Sequence, residues 1–144
     1  TLTRTGIIAG TPQYMSPEQA NGDAVDHRSD LFSLGGVLYF LLAGRPAFRG
    51  NDPVAVLRAQ VEQEVPPLET LAPQVPGDLT ALVMQCLAKN PQARPASARE
   101  LDAALAACHC AGEWTQEQAA RWWVARPGRV LDGIPNTGST ATAF

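Results

Sequence analysis

Residues 29–43 constrain the fold more than any other part of the chain. Leu31, Phe32, Leu34, Val37, Leu38, Tyr39, Phe40, Leu41 and Leu42 spread around the whole circumference of a helix rather than along one stripe. A helix that is apolar on every side has to be buried on most of them. Gly44 ends it and Pro46 prevents its resumption. Gly35 and Gly36 inside it each cost about 1 kcal/mol of helix propensity against Ala. That cost predicts another backbone passing close by. The apolar run over residues 35–43 is too short to cross a bilayer.

The remaining segments read as a loop, several shorter helices and a tail. Residues 1–10 carry Thr and Gly without an amphipathic period and read as loop. Ser16-Pro17-Glu18 opens a short helix, with a cap, a proline at the first position and a carboxylate at the positive end of the dipole; Gly22 ends it. Asp52-Pro53 opens another, with Val54, Leu57 and Val61 as its apolar stripe. Residues 64–77 hold four prolines and read as surface loop. Residues 78–89 form an amphipathic helix with Leu79, Leu82, Val83, Cys86 and Leu87 on one face. Ser97 with Glu100 is a capping box that opens a helix through Leu101, Leu105 and Cys108, and Thr115 with Gln118 repeats the pattern before Trp122-Trp123. From Arg126 onward Pro, Gly, Ser, Thr and Asn predict a disordered tail. No segment reads convincingly as a strand, so the fold class is mainly α.

Composition narrows the partners. A net charge of −3 gives no reason to expect nucleic acid or an anionic membrane. Eleven basic residues comprise ten Arg and the single Lys89. Three cysteines, Cys86, Cys108 and Cys110, without a charged leader and apolar segment, predict free thiols in a reducing, cytoplasmic compartment. A first residue Thr1 rather than Met is expected of a fragment or a processed product.

Three blocks carry a resemblance. Gly10-Thr11-Pro12-Gln13-Tyr14-Met15-Ser16-Pro17-Glu18 is similar to the end of a protein-kinase activation segment, whose A-P-E stands here as Ser16-Pro17-Glu18. Asp26-His27-Arg28-Ser29-Asp30-Leu31-Phe32-Ser33-Leu34-Gly35, followed by Gly44 to Phe48, resembles the family's buried central helix and its Gly-x-Pro-x-Phe turn. Asn90-Pro91-Gln92-Ala93-Arg94-Pro95 is similar to the Arg turn before the family's last helix. The blocks occur in the family's order and spacing, and their wording resembles bacterial serine/threonine kinases of eukaryotic type. The resemblance implies an incomplete kinase C-terminal lobe over residues 1–110, an extra helix over 111–125 and the tail over 126–144.

It also implies roles. Glu18 and Arg94 form a buried ion pair that clamps the activation segment; two independent surface charges remain the alternative. Asp30 is a buried carboxylate that anchors the catalytic loop, with a dipole-favoured N-terminal charge as the alternative. Gly10, Thr11, Tyr14 and Met15 shape the substrate groove for Ser/Thr acceptors, and simple loop packing stays open for Met15. Thr3 and Thr5 occupy the place of activating phosphates, or are plain loop threonines.

Two patterns imitate functional sites. His27-Arg28-Ser29-Asp30 has one residue too many for a His-Arg-Asp loop, lacks the following Asn and comes after the Pro-Glu motif. Cys108-His109-Cys110 has adjacent ligands unsuited to tetrahedral zinc and no second cluster, so His109 reads as a residue near a helix C-terminus and no metal is expected. Kinase chemistry needs a Gly-rich loop, a strand Lys, a catalytic Asp and an Asp holding Mg²⁺. None is present, and Lys89 lies beside Asn90-Pro91. No catalytic or cofactor-binding residue is therefore assigned within the chain. ATP and Mg²⁺ are expected only of the complete kinase, whose partners are a protein substrate and the preceding part of the domain. The alternative is a catalytically dead kinase-like relic that binds proteins.

Overall fold

A computed structural model describes residues 11–125. Two compact units divide the chain, Thr1–Ala111 and Gly112–Phe144. The loop and phosphate-site residues Thr3, Thr5 and Gly10, and the tail, lie outside the described residues.

Within the first unit a 3-10 turn, Pro12–Tyr14, precedes α1, Pro17–Asn21. Ser16 and Gln19 close the capping box of α1: the Gln19 N–H donates to Ser16 Oγ, and the Ser16 N–H donates to Gln19 Oε1. Gly22 then takes φ +76°, a left-handed stop that disfavours any side chain. The long helix α2 runs over His27–Ala43, two residues earlier than the hydrophobic run suggests, because Asp26 caps it by accepting from the Arg28 N–H at 2.8 Å. Gly44 ends it at φ +70°.

Next come α3, Pro53–Glu62, and α4, Leu68–Leu71. The latter is one turn inside the proline-rich stretch that reads as loop. Leu68 and Ala72 are fully buried there, so tertiary packing makes a helical turn where local signals favour none. Helix α5, Gly77–Cys86, follows, then a 3-10 turn at Pro91–Ala93 and α6, Ala98–Ala106. Ser97 caps α6, but Glu100 accepts from the Ala96 N–H rather than from its own cap residue, so the expected box is half formed. Among the described residues no strand occurs.

Helix α2 packs on α5, on α4 and on the Pro12–Tyr14 turn. One core gathers Phe32, Tyr39, Phe48, Ala59, Leu68, Ala72, Val83 and Leu87; a second gathers Leu31, Leu82, Cys86, Leu101 and Cys108. Helix α5 serves both, with Val83 and Leu87 in one and Leu82 and Cys86 in the other. The Tyr39 hydroxyl, buried with its ring, donates to the Pro66 carbonyl at 3.0 Å.

Two expectations about faces change. Helix α3 buries Val56, Ala59 and Gln60, whereas Val54 is exposed. Its inner face is therefore rotated from the Val54-Leu57-Val61 stripe, since it accommodates a polar side chain whose partners are backbone groups. Helix α2 is covered on one side only. Leu34, Val37, Phe40 and Leu41 are exposed, at 38% to 68% of their surface. Leu34, Val37 and Leu41 follow one another at helical spacing and form a continuous apolar stripe.

In the second unit α7, Gln116–Val124, starts at a complete capping box between Thr115 and Gln118. Trp122 and Trp123 meet edge to face, with ring centroids 4.8 Å apart.

The paired glycines have separate neighbours. A Cβ on Gly35 would lie 2.7 Å from the Cys86 Cβ and 3.4 Å from the Cys86 carbonyl carbon. On Gly36 it would lie 3.2 Å from a Tyr14 ring carbon. Gly35→Ala is expected to destabilise the catalytic domain by up to about 2 kcal/mol, because overpacking of about 1–3 kcal/mol is set against a helix-propensity gain of about 1 kcal/mol. Gly36→Ala meets the edge of a ring that can shift and is expected to be milder. Urea midpoints of the two variants test this; a stabilised Gly35→Ala would show that α5 does not approach so closely.

Candidate functional site

The site grows from Ser16-Pro17-Glu18. Proline at the first helical position and the Ser16 cap start α1 here, and that start turns Glu18 inward. Glu18 is 8% exposed and Arg94, 76 residues later, 3%. Arg94 reaches the same place from the rigid Asn90-Pro91 turn, where Asn90 accepts from the Gln92 N–H.

Their contact is bidentate. Arg94 Nη1 donates to Glu18 Oε1 at 2.7 Å, and Nη2 to Oε2 at 2.8 Å. The other three N–H groups of the guanidinium donate to the Ala88 carbonyl at 2.8 Å, the Arg28 carbonyl at 3.0 Å and the Lys89 carbonyl at 3.1 Å. All five donors of the arginine are thus used. The guanidinium carbon lies 4.9 Å from the centroid of the Phe32 ring. The Ser29 hydroxyl donates to Glu18 Oε1. Burial pushes the Glu18 carboxyl up, but the hydrogen bonds from Arg94 and Ser29 outweigh it and hold the group at about 2, below its ordinary 4.5. Lysine at position 94 could not supply this fork.

Next to this clamp the Pro12–Tyr14 turn carries Thr11, Tyr14 and Met15. Tyr14 and Met15 are half-buried and Thr11 is exposed. The turn is held from two helices: the Ser33 hydroxyl on α2 donates to the Tyr14 carbonyl at 2.7 Å, and the Gln60 carboxamide on α3 donates to the Pro12 and Gln13 carbonyls. Neither Ser33 nor Gln60 stands out in the sequence as a site residue. Gln60 could have been noticed as a polar residue beside Ala59 and Val61, but nothing local says which carbonyls it meets.

Asp30 is placed on the open side of α2. It lies in the first turn of α2, exposed, with no hydrogen-bond partner among the described residues. Its position shares that side with Leu34, Val37 and Leu41. There the carboxylate stays hydrated and favours the helix dipole. His27, at the start of the same helix, places its Nε2 2.8 Å from the Ala96 carbonyl.

His109 is part of a link to α5. Its backbone N–H donates to Asp78 Oδ2 at 2.7 Å, and its ring Nδ1 lies at the same distance. Those bonds, the backbone one foremost, lower the Asp78 carboxyl. Burial pushes the Cys86 thiol up to about 11 and that of Cys108 upward, so neither is a thiolate at neutral pH. Among the described residues no three His, Cys, Asp or Glu side chains gather as a metal site.

Comparison with known proteins gives concordant results. The family model described as protein kinase domain matches residues 3–106. Serine/threonine-protein kinase PknB of Mycobacterium tuberculosis is 45% identical over 108 residues, which are 75% of this chain and 17% of the relative. PknB of Mycolicibacterium smegmatis is 48% identical over 109 residues, with the same coverage of each chain. A probable serine/threonine-protein kinase, SCO3848 of Streptomyces coelicolor, is 44% identical over 108 residues, 75% of this chain and 16% of the relative. The chain therefore spans about a sixth of the length of these relatives.

The clamp generates two expectations for the catalytic domain. Glu18→Ala and Arg94→Ala each strand a buried charge and are expected to cost about 3–5 kcal/mol. The double variant should cost less than their sum by about 0.5–3 kcal/mol, as read from urea unfolding; additive losses would mean the contact contributes nothing of its own. The second expectation concerns acid. A folded-state value of about 2 under an ordinary 4.5 gives a stability contribution that is complete above about pH 4.5 and disappears as the pH falls through about 2. Glu18→Gln should flatten the stability profile across that window, and an unaltered acid limb would contradict the assignment.

Proposed function

We propose, from the premise that this chain belongs to the protein kinase family, that it forms the activation-segment end and helical platform of a serine/threonine kinase. The complete enzyme transfers the γ-phosphate of ATP to protein Ser or Thr hydroxyls. The observation that carries this reading is the buried, bidentate Glu18–Arg94 contact. It joins Ser16-Pro17-Glu18 to the Arg turn, and so fixes the segment on which a protein substrate would lie.

In this reading Thr11, Tyr14 and Met15 line the groove next to the acceptor, and Gly10 precedes them in sequence. Thr11 is exposed next to the anchored turn, which suits a hydroxyl facing the catalytic centre. Thr3 and Thr5 precede it in sequence, in reach of an activating phosphate that would add about −1.5 to −2 charge. Asp30 and the apolar stripe of Leu34, Val37 and Leu41 form the seat of the catalytic loop and the neighbouring helix. An exposed row of large apolar side chains headed by an unpartnered carboxylate supports that role.

None of the described residues is assigned to ATP or Mg²⁺ in this reading. The only lysine, Lys89, has its ammonium 3.9 Å from the Phe48 ring centroid and donates to the Gln60 carbonyl. Burial lowers it to about 8, against a smaller opposing effect of Glu64. It is a packing group, and no phosphate contact is assigned to any residue here. Nucleotide and metal belong to the other parts of the complete enzyme. No helix among the described residues is long and apolar enough to cross a membrane.

The pure chain is expected to show no transfer of radiolabelled phosphate from ATP to any protein, and transfer abolished by a point change within it would sink this assignment. In the complete kinase, Thr3→Ala combined with Thr5→Ala should lower activity and leave thermal unfolding unaltered. Mass spectrometry that found neither threonine phosphorylated in active enzyme would remove both from the activating role.

A further inference from the structure

The Pro12–Tyr14 turn has little to hold it by itself. Its own backbone bonds are Tyr14 N–H to the Thr11 carbonyl at 3.1 Å and Met15 N–H to the Pro12 carbonyl at 3.3 Å. A single helical turn of this kind is not self-sustaining in water, because nucleation fixes several dihedrals for very few bonds. Its conformation has to be imposed from outside.

Three successive carbonyls receive that imposition. Pro12 accepts from Gln60 Nε2 at 3.1 Å, Gln13 from the same nitrogen at 2.9 Å, and Tyr14 from the Ser33 hydroxyl at 2.7 Å. Gly36, one turn beyond Ser33 on α2, leaves the space in which the Tyr14 ring edge sits. Gln60 is completely buried, and its Oε1 has no hydrogen-bond partner. A buried carboxamide that leaves its acceptor unsatisfied is kept for its donor end. Its main-chain carbonyl in turn accepts from Lys89, so the residue is fixed from both ends.

We propose that Gln60 and Ser33 are positioning residues for the peptide acceptor: their hydrogen bonds to the Pro12, Gln13 and Tyr14 carbonyls set the turn on which Tyr14 and Met15 meet the substrate. This rests on the kinase reading above. Neither side chain touches the substrate; each acts through the turn. Their loss should weaken acceptor binding far more than nucleotide binding, since the turn has no part in holding ATP.

The test is steady-state kinetics of the complete kinase with a Ser/Thr peptide acceptor, in wild type, Gln60→Met, Ser33→Ala and Ser33→Thr. Gln60→Met keeps length and bulk and removes the donor, together with an acceptor oxygen that has no partner. The expected result is a roughly 10–100-fold rise in KM for the peptide with KM for ATP within about twofold of wild type. Ser33→Thr, which keeps the hydroxyl, should lie near wild type, and Ser33→Ala should not. If Gln60→Met fails to fold by circular dichroism, the half-buried Ser33 pair still gives the comparison. Equal changes in both KM values, or an unchanged peptide KM in folded variants, overturn the proposal and leave the kinase reading standing. A wild-type enzyme that transfers no phosphate to any peptide overturns both.

Discussion

The buried contact between Glu18 and Arg94 is the interaction on which the rest of the first unit depends. One guanidinium binds the carboxylate of α1, the carbonyl of Arg28 at the start of α2 and two carbonyls after α5. The Ala88 and Lys89 carbonyls lie in irregular backbone after α5, where no helix supplies their partners, and the Arg28 carbonyl lies in the first turn of α2. A buried ion pair is weak evidence for net stability, because apolar residues of similar volume often do as well. What they cannot do is satisfy those carbonyls. The pair therefore specifies where four chain segments meet, and Phe32 beneath the guanidinium ties that junction to the larger core.

From the junction a continuous path of hydrogen bonds leads to the proposed substrate groove. Arg94 holds the Lys89 carbonyl, the Lys89 ammonium holds the Gln60 carbonyl, and the Gln60 carboxamide holds the Pro12 and Gln13 carbonyls. Burial lowers Lys89 to about 8, so its ammonium still predominates at neutral pH and the path is intact there. A positive charge over the Phe48 ring is also compatible with an apolar core in a way that a free ammonium would not be. The path shows how a structural salt bridge and the position of Tyr14 can be coupled although they share no side-chain contact.

Much of this was legible in the sequence because the signals are local. Ser16-Pro17, Asp52-Pro53 and Thr115-Gln118 start helices where their caps say, and Gly22 and Gly44 stop them. The cost of Gly35 and Gly36 pointed to another backbone close by; Gly35 meets that of Cys86, whereas Gly36 meets the Tyr14 ring. The pairing of Glu18 with Arg94 came from the family's motifs, not from spacing. What stayed hidden depends on tertiary partners. Helix α4 exists because Leu68 and Ala72 find a core, and the inner face of α3 is set by Gln60 and its distant carbonyls. The apolar neighbours of Asp30 in sequence do not say which side of α2 the rest of this chain covers, and Asp30 lies on the side it leaves open.

That last point bears on α2 itself. Its apolar circumference is two surfaces with different chemistry. On the covered side small residues admit close neighbours and short hydroxyls fix them: Gly35 receives α5, Gly36 receives Tyr14, Ser29 bonds Glu18 and Ser33 bonds Tyr14. On the open side Leu34, Val37 and Leu41 are large and carry no polar handle, with Asp30 alone at the end of the row. Small residues with hydroxyls suit an interface locked into one register, whereas large aliphatic side chains suit a surface that drives association through buried area. A helix of this composition is too apolar to be the outside of a finished molecule and too polar at its serines to be an undifferentiated core. Its two sides suit the proposed platform, one holding the Pro12–Tyr14 turn rigidly and the other open to receive another body of protein.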